Sequence, residues 1–295
     1  MAVLEPYKHG YYLWKYVPSA AGAGLFCAAF GLVTIAYVWR IWKSRTWFTI
    51  PFAVGGFMQF IGYAGRAACH TRTSRLMPFV VQQNNILLAP VLYAASIYMT
   101  LGRTIRNVKG EKHSIVSPKR LTAVFLTCDI LALAVQGSAA GLMVLAEYAQ
   151  IAEGIVIAGL AIQIVAFGLF WLTSWVFHIR MSRDLVLTSA IPAEVQWENT
   201  MRMLYGVSAL IMLRSIFRMI EFVMGQDGYL LSNEWPLYIF DTLPMLAVMG
   251  IFWKWFPSSV RSPRVVSFNS LHSLHSLQGS EPREQAHKGA ITRQA

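Results

Sequence analysis

Leu213–Gly228, LRSIFRMIEFVMGQDG, is the stretch on which the reading of this chain turns. It sits inside an apolar run too long for a soluble helix, yet it carries Arg214, Arg218 and Glu221. At about 100° per residue these three fall within about 60° of one another on a helix surface. One face is therefore charged, and Ile216, Phe217, Ile220, Phe222 and Val223 make the rest apolar. Charged residues inside a membrane span are rare; they face the bundle interior, pair with other groups and mark function. The same pattern also serves a structural Arg–Glu clasp that fixes helix packing, and the residues alone leave both readings open.

The composition supports a membrane setting. Of 295 residues, 56% are hydrophobic and only 13% charged, where soluble domains run near about a quarter charged. The expected fold class is an all-α membrane protein, a seven-transmembrane helix bundle. The net charge of +11 does not point to nucleic acid, because most basic residues flank the apolar runs, where they act as topology signals. Cys27, Cys69 and Cys128 are scattered without metal spacing and read as free thiols. The first 16 residues hold no apolar stretch, so the first span is expected to serve as its own targeting signal. No N-x-[ST] sequon occurs, and no glycosylation is expected.

Seven spans can be traced: about 17–39, 47–66, 77–101, 121–145, 151–178, 201–224 and 235–256. Residues 1–16 form a short N-terminus, 17–256 the membrane domain, and 257–295 a tail rich in Ser, Gln, His and basic residues. Such a tail cannot bury a core and is expected to be disordered. Span 2 contains Gln59 and ends at Arg66. Span 3 starts with Asn84 and Asn85 near its entry and holds Pro90, which removes a backbone hydrogen bond. Span 4 carries Asp129 and Gln136 on one face, and Gly137 and Gly141 as a small-residue pair that permits close helix approach within the chain or between copies. A homo-oligomer is compatible with that pair. Span 5 has Gln163, and span 7 has Asp241 and Pro244.

The positive-inside rule orients the bundle. One side collects 18 Lys and Arg, the other five, with Arg214 and Arg218 in the membrane. The N-terminus is therefore expected outside and the C-terminus in the cytoplasm. This puts Arg66, Asn84, Asn85, Glu221 and Asp241 toward the outer half, Arg214 near the middle, and Asp129 with Gln136 deeper. Arg218, Glu221 and Asp241 are expected to form one connected group in that outer half, since the first two are three apart on one helix and the third enters after a short connection. Two buried cations face three buried acids, so one acid is left over, neutral or available to a cationic ligand.

Several functions are disfavoured. A retinal protein needs a lysine within the last span, but Lys254 sits at its edge. A zinc hydrolase needs clustered His and carboxylates, and only His178 lies near a span. No G-x-x-x-x-G-K-[ST] loop is present for ATP. No nucleophile–base arrangement can be read, so the chain is expected to be neither an enzyme nor a cofactor or metal protein.

Tyr16-x-Pro18-Ser19, Gly62-Tyr63-x-x-Arg66, Gln83-x-x-x-Leu87-Leu88-Ala89-Pro90, Tyr98-x-x-x-Gly102-Arg103 and Asp129-x6-Gln136 occur in this order. Arg214-x-x-Phe217-Arg218-x-x-Glu221 follows, then Gly225, Gly228, Glu234, Tyr238 and Asp241. Over about residues 7–260 the chain resembles the fungal lipid-translocating exporters, or RTA-like proteins. Members often carry Glu where this chain has Gln59. The resemblance implies a seven-span fungal protein of the plasma membrane or internal membranes. It also implies export of, or resistance to, amphipathic molecules such as sphingoid bases and sterol-like amines.

The reading that follows is a translocator whose partners are the bilayer and a lipid or amphipathic small molecule. Its candidate substrate-binding or translocation residues are Arg66, Asn84, Asn85, Asp129, Gln136, Arg214, Arg218, Glu221 and Asp241. The competing reading is a seven-helix receptor-like lipid or stress sensor that signals through cytoplasmic loops and tail.

Overall fold

The computed structural model describes residue 16 and residues 18–70, 75–142, 149–184, 197–225 and 228–256. The N-terminal segment before residue 16, residues 143–148 of the span 4–5 connection, and the Ser-rich tail lie outside the described residues. Among the described residues every regular element is helical. Helix α1 (Ala20–Ser44) starts at Ser19, whose hydroxyl accepts from Gly22 N at 3.2 Å. It stops where Arg45 turns left-handed, with φ 52°. Helix α2 (Ile50–Cys69) carries Pro51 in its first turn, where a missing N–H costs nothing.

Helices α3 (Leu76–Asn107), α4 (Pro118–Leu142), α5 (Ala149–Arg183) and α6 (Trp197–Val223) follow. After a single turn, α7 (Tyr229–Ser232), the last helix begins as a wide π-turn over Leu237–Thr242 and continues as α8 (Leu243–Lys254).

Among the described residues, six helical stretches are long and apolar enough to cross a membrane: Ala20–Ser44, Met77–Asn107, Arg120–Gly137, Gln150–Arg183, Trp197–Val223 and Leu237–Lys254. The chain is a multi-pass, all-α membrane protein. Helix α2 has 20 residues, about 30 Å of helix, but Gln59, Arg66 and four glycines dilute its apolar content. The observed helices overrun the expected spans at their basic ends. Helix α3 continues from Leu101 to Asn107, and α5 from His178 to Arg183. Hydropathy marks the hydrocarbon boundary, whereas cooperative backbone bonding carries a helix past it.

Consecutive helices pack side by side from α1 to α6; α3 also meets α6, and α8 packs on α6 and back on α1. Helix α3 is the enclosed one, with 72% of its apolar window buried against 22% for α1. Helix α2 approaches α3 closely because glycines face it. A Cβ on Gly62 would sit 2.7 Å from Ile86 Cγ1, and one on Gly65 would sit 3.2 Å from the Pro78 carbonyl.

The small-residue contact expected on span 4 is corrected within the chain. Gly137 has no neighbouring atom within 4 Å of its Cβ position, and the surroundings of Gly141 lie outside the described residues. Close approach comes instead from α5, where a Cβ on Gly159 would meet the Ala132 carbonyl at 3.1 Å and Gln136 Cγ at 2.8 Å. Spacing shows that a helix has a smooth strip but not which way the strip points.

At the basic end, aromatic packing joins α1, α2, α3 and α8. Phe52 stacks on Phe252 at 4.2 Å and meets Tyr93 at 4.6 Å. Tyr37 donates to the Met249 carbonyl at 2.5 Å, and Arg40 donates to the Trp253 carbonyl at 2.7 Å.

Candidate functional site

Helix α6 buries Arg214, Arg218 and Glu221 on its inward side, as their spacing requires. Arg218 Nη1 donates to Glu221 Oε2 at 2.9 Å, and its Nη2 donates to Asp241 Oδ2 at 2.6 Å. Arg214 Nε closes on Asp241 Oδ1 as an ion pair. One carboxylate on the last helix is thus shared by two guanidiniums one turn apart on α6. The planar fork of Arg suits this sharing, since it offers five donors in fixed directions.

Two backbone irregularities place these groups. Pro90 has no N–H, so the carbonyl four residues back, on Ile86, loses its helical partner. Arg214 Nη2 donates to that carbonyl at 2.9 Å. A guanidinium therefore replaces the missing backbone donor and ties α3 to α6. Asp241 lies in the π-turn, where the Leu243 N–H reaches Tyr238 O, five residues back, and Thr242 Oγ1 donates to Leu237 O at 3.2 Å. Single π-turns recur at functional sites. Tyr63 of α2 hydrogen-bonds through its hydroxyl to Thr242 Oγ1.

Arg66 is fully buried and belongs to a second cluster. Its Nη2 donates to Glu234 Oε1 at 2.7 Å and to Tyr16 Oη at 2.8 Å. Tyr238 Oη donates to the same Glu234 oxygen at 2.9 Å. Glu234 also accepts from the Ser19 backbone N–H at 3.0 Å. The start of α1 is thus held by the segment that leads into the last helix.

Asp129 and Gln136 are both buried on α4, but they bond different helices. Tyr98 Oη of α3 donates to Asp129 Oδ2 at 2.7 Å, while Gln136 Nε2 donates to Gln163 Oε1 of α5 at 3.3 Å. Asp129 Oδ1 and Gln136 Oε1 are buried without a hydrogen-bond partner.

Asn84 and Asn85 stand apart from all of these clusters. Asn84 is exposed, and Asn85 Nδ2 turns back to Val81 O of its own helix at 2.8 Å. The inward strip of α3 runs through Gln82, Ile86 and Ala89, all buried. Asn84 is two residues, or about 200°, away from Gln82 on the helix.

A family model described as "RTA1 like protein" matches residues 52–263. The chain belongs to the RTA1-like family. Among its relatives, Protein RTM1 of Saccharomyces cerevisiae is 36% identical over 203 residues, 69% of this chain and 65% of RTM1. Protoporphyrin uptake protein 1 of the same yeast is 30% identical over 278 residues, 82% of this chain and 91% of that protein. The S. cerevisiae sphingoid long-chain base transporter RSB1 is 26% identical over 250 residues, 73% of this chain and 65% of RSB1. No solved structure matches.

In this RTA1-like chain, the motif residues that carried the resemblance hold the buried networks together. Sequence reasoning placed Arg218, Glu221 and Asp241 in one group, and the structure brings Arg214 into it. It missed Tyr98 as the partner of Asp129, Gln163 as that of Gln136, and Glu234 with Tyr238 around Arg66. It also missed the Ile86 carbonyl, although the signal was available: a proline inside an apolar helix frees the carbonyl four residues back. Chemically the two arginines and two acids balance one another. No group of three or more His, Cys, Asp or Glu among the described residues could hold a metal.

Proposed function

We propose that this protein is a seven-span translocator that exports lipid-like amphipathic molecules, such as sphingoid bases and toxic amphiphiles, and so confers resistance to them. The observation that carries the reading is the match to relatives named for transport of sphingoid long-chain bases and uptake of protoporphyrin. The site chemistry agrees, since buried polar and charged groups lie between apolar helices. Helix α2 is read as the seventh span, packed between α1 and α3. The distribution of Lys and Arg orients the N-terminus outward and the tail toward the cytoplasm. The plasma membrane is the proposed location, and no chemical step is assigned to the protein.

Purified protein in vesicles should move a fluorescent long-chain base between leaflets faster than empty vesicles do. Binding without flux would favour the sensor instead. For orientation, a cysteine placed at Ser276 should resist an impermeant reagent on intact cells while one at Gln150 reacts; the reverse pattern would invert the topology.

A further inference from the structure

Six charged side chains are buried among the described residues: Arg66, Asp129, Arg214, Arg218, Glu221 and Asp241. Five of them sit in ion pairs with another side chain. Asp129 does not. It is 1% exposed, takes one hydrogen bond from the Tyr98 hydroxyl, and leaves Oδ1 unpartnered. Its neighbours are aromatic. Tyr98 meets Phe170 at 4.6 Å and Phe125 at 5.7 Å, and Phe125 meets Phe170 at 5.5 Å. Phe125 lies one turn before Asp129 on α4, and Gln136 lies two turns after it on the same face. Gln136 uses its amide N–H on Gln163 and leaves Oε1 unpartnered. Both unpartnered atoms are acceptors: Asp129 Oδ1 belongs to the carboxylate that Tyr98 of this ring cluster holds, and Gln136 Oε1 lies two turns further along α4, where Gln136 meets Gln163 and Gly159 of α5.

We propose that this place binds the ammonium head group of an amphiphilic amine dissolved in the bilayer. Its N–H groups donate to Asp129 Oδ1, and a hydroxyl of the same head group donates to Gln136 Oε1. The carboxylate repels an anion, and a neutral head group leaves its charge uncompensated in a medium where that is costly. Aromatic rings beside the carboxylate favour a cation through their quadrupoles. The Arg214–Arg218–Glu221–Asp241 network is not the amine site, because its charges already match.

The bilayer is the source. Exposed Leu131, Ile162 and Val165 adjoin the inward positions Ala132 and Gln163 on α4 and α5, so an alkyl tail can stay in hydrocarbon while the head group turns inward. The inference rests on the translocator reading only in taking the ligand to be an amphiphile.

Equilibrium binding to the full chain in lipid nanodiscs tests it, with a sphingoid base, its N-acetyl derivative and a short-chain amino alcohol as probes. The long-chain base should bind, and Asp129→Asn should weaken it by at least about tenfold while the N-acetyl derivative changes little. Phe125→Leu and Gln136→Leu should each weaken the base by a smaller factor. Unchanged base affinity in a folded Asp129→Asn protein overturns the proposal. If Asp129→Asn does not fold, unchanged affinity in both milder variants overturns it instead. A short-chain amine that binds as tightly as the long one overturns entry from the bilayer. Flux that ignores Asp129 sinks the site and leaves the translocator standing. Asp129-dependent binding with no flux does the opposite.

Discussion

The two buried acids Asp241 and Asp129 show two ways of keeping a carboxylate away from water. Asp241 is held by two guanidiniums, one of which also serves Glu221 and the other a backbone carbonyl. Asp129 has one phenol. Charges matched inside the protein fix three helices, α3, α6 and the last, against one another. A charge left unmatched holds nothing comparable and retains capacity for something from outside. Both acids are almost completely buried, so burial alone does not tell them apart; their partners do.

Removing the shared acid should break that comparison most severely. Asp241→Asn strips two arginines of their common partner, and breaking a buried pair costs about 3–5 kcal/mol. The variant should give little monodisperse protein in detergent, and size-exclusion chromatography checks this. A well-behaved Asp241→Asn protein would mean that the network does not hold the bundle.

The next effect is a coupling. Arg214→Met should destabilise the fold, while Pro90→Ala returns an N–H to the Ile86 carbonyl. The double variant should be more stable than the sum of the single effects by about 1–3 kcal/mol, read from thermal melting. Strict additivity would deny the link between proline and arginine.

Glu221→Gln should cost less than Asp241→Asn, because Arg218 keeps Asp241. We expect a folded protein about 1–3 kcal/mol less stable, read as a lower Tm. A Tm equal to that of the parent together with full flux would remove Glu221 from both the structural and the functional account.

Asp129→Asn should leave the Tm unchanged or raise it, since an amide can still accept from Tyr98 and carries no charge to bury. A collapse as severe as that of Asp241→Asn would erase the distinction between the two acids. Smallest of all, Gly137→Leu should shift stability by no more than about 0.5 kcal/mol, whereas Gly159→Leu should separate α4 from α5 and lower the folded yield.

The helical membrane fold was legible because it rests on run length and on charges at run ends, and both are one-dimensional. The Arg218–Glu221–Asp241 group was legible for a similar reason: two members share a helix face and the third enters after a short connection. What escaped depended on rotation about a helix axis. Asn84 stood among the candidates and Gln82 did not, because the strip that α3 turns inward was not known. Gly137 looked like a contact, yet Gly159 makes it. Tyr98 and Gln163 could not be matched to Asp129 and Gln136 without knowing which helices adjoin α4. The N-terminal segment and the tail lie outside the described residues.

The wide turn at Leu237–Thr242 makes the length of the chain a parameter in its own right. A π-turn holds more residues than a regular helix needs. That surplus lets one helix face two clusters at different angles: Glu234 and Tyr238 toward Arg66, Asp241 toward Arg214 and Arg218. Substitutions keep this register. Losing the surplus residue would close the turn into an ordinary helix with its flanks still facing as they do, whereas inserting one more would swing everything before it by about 100°, parting Glu234 from Arg66 while no side chain of either cluster had been altered. This stretch should therefore accept many exchanges of residue, and should bear the loss of one far better than the gain of one.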